Sequence, residues 1–213
     1  MNPMPYFLLA FTAVFAATAN AGRPPVLDTN GDAIFGGSYY VLPAFSDADG
    51  GGLTLVTLRD RQCPLLIGQE YSEVERGIPV KFSNWRSRVG FVPESENLNI
   101  EMDVKATICE VPTYWSLLPS NSPHFKFLVE AGPKPKPGEY SGKSFFQIKK
   151  TEEFGDSYNI AFCPYDGSCV SVGISLDQYG VRRLALLGST QLIAFMFMKA
   201  SETETSSKTM SII

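Results

Sequence analysis

Short alternating apolar runs, cut off by turn residues before any helix can form, limit this chain more than anything else in its sequence. In NLNIEMDV, Leu98, Ile100, Met102 and Val104 share one face of an extended chain, and Asn97, Asn99, Glu101 and Asp103 share the other. Successive strand side chains point to opposite sides, so this pattern reads as a half-buried strand. Similar runs occur at SYYVLP, GGLTLVTL, IPVKFS, HFKFLVE, SFFQIKK, SYNIAF, VRRLALL and LIAFMFM. Turn clusters such as Asp28-Thr29-Asn30-Gly31, Asp49-Gly50-Gly51-Gly52 and Asp166-Gly167-Ser168 separate them. The 18 glycines and 15 prolines leave hardly a window in which a 3.6-residue apolar period survives. About a dozen short strands at this spacing give an all-β barrel or sandwich, with function carried on its loops.

The ends of the chain read differently. Residues 1–21 hold no Asp, Glu, Lys or Arg, and an apolar run from Tyr6 to Ala17 is followed by Ala19-Asn20-Ala21. That is the pattern of a secretory signal cut before Gly22. An apolar run of about 12 residues is too short to cross a hydrocarbon core ~30 Å thick. Residues 22–200 then form one domain, and 201–213, SETETSSKTMSII, read as a flexible tail. Leu-Asp-x-x-Gly occurs in VLDTNGDAI and again in ISLDQYGVRRL, a weak hint of internal symmetry. The formal charge of −4 lacks the basic footprint of a nucleic-acid binder, and no second apolar segment is long enough to span a membrane.

Four cysteines in an exported chain imply two disulfides, for which three connectivities exist. Cys163 and Cys169 enclose only PYDGS and pair locally, leaving Cys63 to join Cys109. The close spacings of a thiolate zinc site are absent.

Catalytic sets are missing. The single histidine, His124, opens the run HFKFLVE, away from any nucleophile-elbow sequence. The glycines at 50–52 lack the lysine and hydroxyl residue of a phosphate loop, and Glu152 and Glu153 lie in a polar stretch that reads as solvated surface. No cofactor is implied. A secreted, stapled β protein without such groups points to a binder and not an enzyme.

VLDTNGDAIFGGSYYVL resembles the opening signature of the plant Kunitz-type (soybean trypsin inhibitor-like) family, with Val26, Asp28, Gly31, Ile34, Tyr40 and Leu42 at the matching places. The long-then-short cysteine pattern, Cys63-Pro64, NLNIEMDV and GISLDQYGVRRLAL extend the similarity over roughly residues 24–200. The resemblance implies a β-trefoil of about twelve strands with pseudo-threefold symmetry. It further implies a monomer whose partners are trypsin-like serine proteases, held by an exposed substrate-like loop between the first two cysteines.

In that interval lies FSNWRSRVGF, Phe82 to Phe91, with two arginines two residues apart. The residue entering the protease's specificity pocket, P1, comes from the reactive-site segment Arg86, Ser87, Arg88 and Val89. Counting from Cys63 without a gap lands on Ser87, whereas counting back from PES selects Arg88–Val89, which is preferred over Arg86–Ser87 and Ser87–Arg88. The competing expectation is that both arginines only solvate a loop. Trp85 is either a rim anchor or a packing residue of the loop. Family inhibitors often carry an asparagine before the Gly-Gly of the first hairpin, bracing the loop. Here that hairpin reads Ile34-Phe35-Gly36-Gly37 and lacks it, which leaves Asn84 as a substitute brace and a non-inhibitory storage or carbohydrate-binding trefoil as the alternative function. Lys134 or Lys136 in GPKPKPGEYSGK, residues 132–143, offers a third, less favoured P1, because Lys-Pro bonds are poor trypsin sites.

Overall fold

The computed structural model describes residues 22–45, 50–58, 61–120, 127–136, 143–151, 155–164, 168–186 and 193–201. The expected signal segment, His124, Glu152, Glu153, residues 137–142 of the proline-rich stretch and tail residues 202–213 lie outside them. Among the described residues there is no helix. The strands are β1 (Tyr39–Pro43), β2 (Leu53–Leu58), β3 (Arg61–Gln69), β4 (Val80–Ser83), β5 (Asn99–Met102), β6 (Tyr114–Pro119), β7 (Phe127–Gly132), β8 (Phe146–Lys150), β9 (Tyr158–Phe162), β10 (Val170–Leu176), β11 (Arg182–Leu186) and β12 (Phe195–Lys199).

Their pairing, antiparallel throughout, builds the threefold plan. Strands β12, β1, β4 and β5 pair in succession, as do β8, β9 and β12. The bridge Leu98↔Phe146 closes the seam between β5 and β8, so six strands form a ring. The other six form the hairpins β2–β3, β6–β7 and β10–β11. The second strands of these hairpins meet in a triangle, with Leu66 opposite Glu130, Leu128 opposite Ala185 and Arg183 opposite Gly68. Advancing by four strands carries each third of the molecule onto the next, which is the β-trefoil. Closing the ring satisfies strand edges that would otherwise invite other chains.

The core follows from the alternation. Leu98, Ile100 and Met102 are each at most 1% exposed, and Val104 is half-buried against them. Trp115, Tyr39, Tyr158, Phe146, Phe195 and Phe197 fill the interior. The rings of Trp115 and Phe146, and of Phe82 and Phe197, meet edge-on at 5.6 Å, the arrangement that aligns positive edge with negative face. Polar atoms of the buried aromatics are satisfied: Trp115 Nε1 donates to Met102 Sδ at 3.3 Å, and the Tyr158 hydroxyl oxygen accepts the Leu27 N–H at 2.8 Å.

Two sequence expectations need correction. Asn99, placed on the polar face of its strand, is only 4% exposed. It stays buried because its amide oxygen and its amide nitrogen each have a hydrogen-bond partner, as described below. The Leu-Asp-x-x-Gly echo reports turn chemistry and not threefold symmetry. Asp28 Oδ1 accepts the N–H groups of Asn30 and Asp32, and Asp177 Oδ1 accepts those of Tyr179 and Val181, in each case beside a glycine at positive φ. One turn precedes β1 and the other joins β10 to β11, positions that no four-strand shift relates.

Candidate functional site

The loop of residues 84–98 leaves β4 and returns as β5, across a hairpin whose pairs run from Ser83↔Asn99 to Val80↔Met102. Exposure along it alternates: Arg86, Arg88 and Gly90 face solvent, while Trp85, Ser87 and Val89 are half-buried. That period of two belongs to extended chain.

Side chains hold the entry limb. Asn84 has φ 66°, the left-handed region that asparagine tolerates better than most residues. Its Nδ2 donates to Asn99 Oδ1 at 3.0 Å, and Asn99 Nδ2 donates to the Ser144 carbonyl at 2.9 Å. This short relay ties the loop's first residue to the segment leading into β8. Trp85 packs on the core edge, and its Nε1 donates to the Val89 carbonyl at 3.1 Å, spanning the segment 86–88.

Main chain holds the exit limb. Val26 N–H donates to Val92 O at 2.9 Å, Val92 N–H to Ile34 O at 2.8 Å, Glu94 N–H to Pro24 O at 2.8 Å, and Ser95 N–H to Ile148 O at 2.8 Å. Arg23 adds a hydrogen bond to the Ser95 carbonyl. The returning chain is therefore gripped between the amino-terminal segment and β8.

Glu96 joins the two limbs. Its Oε1 accepts the Ser87 N–H at 2.6 Å. Burial alone would raise this carboxyl, but the Ser87 N–H and hydroxyl, the Arg86 N–H and the Arg23 charge outweigh burial and hold it below its ordinary value. The Ser87 hydroxyl is buried without a partner at full hydrogen-bond geometry, yet it lies near enough to this carboxylate to favour its charge.

The expected reactive segment is thus brought together at one exposed turn. Arg88 has no hydrogen bond or ion pair with any described residue. Trp85 turns out to be a packing residue of the loop. Asn84, the expected substitute brace, bonds Asn99 at the base of the loop, while in the first hairpin Gly36 and Gly37 both take positive φ. Both disulfides join the expected partners, Cys63 with Cys109 and Cys163 with Cys169. Lys134 lies 6.0 Å from the Tyr114 ring centre, away from loop 84–98 in sequence and contact. Sequence reasoning missed Glu96 and Asn99. The only signal for either was a polar residue close to the β5 boundary, which is equally common in plain surface loops.

The comparisons agree with this geometry. Residues 26–199 match the family model described as trypsin and protease inhibitor. The chain is 51% identical to Kunitz trypsin inhibitor 4 of Arabidopsis thaliana, covering 99% of this chain and 97% of that protein. It is 38% identical to the 21 kDa seed protein of Theobroma cacao, over 92% of this chain and 91% of that one. Among solved structures, soybean trypsin inhibitor in complex with porcine pancreatic trypsin superposes with a TM-score of 0.69 at 28% identity, over 84% of this chain and all of that one. Twelve strands among the described residues, two bridges, a braced loop between the first two cysteines and a family match across nearly the whole domain lead to one conclusion: the chain belongs to the Kunitz-type family of trypsin and protease inhibitors, whose members are inhibitors and not enzymes.

Proposed function

We propose that the mature chain is a secreted inhibitor of trypsin-like serine proteases that offers Arg86 to Val89 as a substrate-like segment, with Arg88 as P1. The carrying observation is the contrast between Arg88 and its neighbours. Arg88 is exposed and unheld among the described residues, while the Ser87 N–H and the Val89 carbonyl on either side are already tied inward. An extended segment that docks on an enzyme's edge pairs through its outward main-chain groups, so inward ties cost the complex nothing. A trypsin-type pocket ends in an aspartate, and a guanidinium entering it forms a charge-assisted contact away from water. A loop fixed beforehand avoids most of the ordering cost of association. Arg86 is less suited, because its own N–H is engaged by Glu96.

Titration of purified mature protein against trypsin tests the reading. Stoichiometric loss of activity is expected, with Arg88→Ala weakening the complex about tenfold or more and Arg86→Ala weakening it less. Unchanged inhibition by the double alanine variant would overturn it. Export is supported by the segment before Gly22 and by two disulfides; amino-terminal sequencing that begins at Gly22 is the expected check. The similarity to a seed protein favours a second reading, storage without inhibition. On that reading trypsin cuts between Ser83 and Pro93 at a steady rate and never stalls.

A further inference from the structure

We propose that Glu96 is the positioning residue of the reactive loop, its carboxylate fixing the backbone of Arg86 and Ser87 so that the Arg88–Val89 bond is presented but turned over slowly. The inference rests on the reading of residues 86–89 as the protease-binding segment.

The loop's two limbs are anchored by different means. The exit limb is fixed by four main-chain hydrogen bonds to Pro24, Val26, Ile34 and Ile148. Glu96 sits at the end of that limb, directly after Ser95, so its carboxylate is carried on the most firmly held part of the loop. The entry limb has no such ladder beyond Ser83. Between Asn84 and Val89, its restraints include the Asn84–Asn99 bond, the Trp85–Val89 bond and the carboxylate of Glu96. Of these, only Glu96 reaches across from one limb to the other at the residues immediately preceding Arg88. A charged acceptor facing main-chain donors makes a shorter and stronger bond than a neutral one, and 2.6 Å fits that class.

The consequence concerns both faces of Ser87. With the Ser87 N–H held by Glu96 and its side chain half-buried, the Arg88 side chain on the opposite face of the extended segment is left in solvent, toward an enzyme. Removing the carboxylate frees residues 86 and 87 to rotate, and a rotated Arg88 is a substrate in many conformations instead of one. The charged group acting on this carboxylate is Arg23 from the amino-terminal segment; Arg86 contributes its N–H. Glu94, two residues away, is shifted the opposite way, raised by burial against the opposing charge of Lys150, so the two carboxyls titrate apart.

Amide proton NMR of the free protein, paired with trypsin kinetics, tests the proposal. The Ser87 amide proton is expected to lie downfield and to move upfield as pH falls through the Glu96 titration, below the ordinary glutamate value of 4.5. In Glu96→Gln, which is nearly isosteric, that titration should vanish. Its neutral carbonyl keeps one acceptor, so inhibition should weaken by only a few fold. In Glu96→Ala, Ser87 amide exchange should quicken about tenfold, and hydrolysis at Arg88–Val89 should rise by a similar factor. An unshifted, non-titrating Ser87 amide in the parent protein overturns the proposal, as does unchanged exchange in Glu96→Ala. If the parent fails to inhibit trypsin yet its Ser87 amide titrates with Glu96, the positioning stands and the protease-binding reading falls.

Discussion

Asn84 combines two demands that few residues meet together. Its φ of 66° excludes β-branched side chains, and its amide must still reach Asn99 at 3.0 Å. Glycine satisfies the first demand and fails the second; valine fails both. Asn84→Gly is therefore expected to loosen the loop with a stability loss below about 1 kcal/mol, while Asn84→Val should lose at least about 2 kcal/mol by adding backbone strain. Chemical unfolding of the two variants checks the order, and equal losses would show that backbone conformation at Asn84 contributes nothing. Asn99 is the more sensitive partner because it is buried. Asn99→Ala leaves the Ser144 carbonyl and the Asn84 amide without their bonds, at a cost of about 2 kcal/mol. The same residue shows where sequence reading stops: alternation assigns a face, but a polar side chain on the outward face becomes buried when another loop folds over it. Glu96 is hidden for the same reason, since its partner lies nine residues earlier across a loop whose shape no periodicity encodes.

At the scale of elements, the short strand β4 has loop 84–98 at its carboxyl end and the β3–β4 connection, residues 70–79, at its amino end. The second connection is packed against Gly50-Gly51-Gly52. Gly52 N–H donates to Glu75 O at 2.8 Å, Glu70 N–H donates to Gly52 O at 2.9 Å, and Ile78 N–H donates to Leu53 O at 2.7 Å. The backbones approach so closely that a Cβ on Gly52 would stand 1.9 Å from the Arg76 carbonyl oxygen. Main chain cannot yield as a flexible side chain can, so Gly52→Ala is expected to destabilise the fold by on the order of 2–3 kcal/mol. Inhibition measured well below the unfolding temperature should survive, because the braces of loop 84–98 lie at the other end of β4. Loss of inhibition without loss of stability would contradict this separation. The glycines were legible only as a turn, and strands were legible only where alternation ran unbroken. β1, β2, β4, β5, β7, β8, β9, β11 and β12 all fall on such runs. β3 carries Pro64 within it, β6 reads as a nearly continuous apolar run, and β10 begins one residue after a cysteine, so none of the three shows a clean period of two. The threefold plan was recognisable through family resemblance and not through repetition, since equivalent strands share burial and pairing but little sequence.

For the whole molecule, the two bridges do different work. In the loop-entropy picture, Cys63–Cys109, with a sequence separation of 46, stabilises by about 4 kcal/mol, and Cys163–Cys169, with a separation of 6, by about 2 kcal/mol. For a domain of this size those losses translate to roughly 10 °C and 5 °C in the thermal midpoint. The long bridge has a second consequence. Its ring encloses loop 84–98, so a cut at the proposed Arg88–Val89 bond leaves Cys63 on one fragment and Cys109 on the other, still joined. The fragments are also interleaved: β4 pairs with β5 across the cut, and the amino-terminal segment grips Val92 and Glu94. The new amine and carboxyl ends are thus kept within reach, which favours resealing over release. Limited trypsin treatment is expected to yield a product that runs as one band without reductant and as two bands with it. Paired Cys63→Ser and Cys109→Ser substitutions should let the nicked protein lose inhibition at least about tenfold faster than the nicked parent. Paired substitutions at Cys163 and Cys169 lie outside that ring and should lower thermal stability while leaving the nicked protein's inhibition largely intact. Equal loss from both pairs would mean that resealing depends on overall stability alone and not on the ring around the loop.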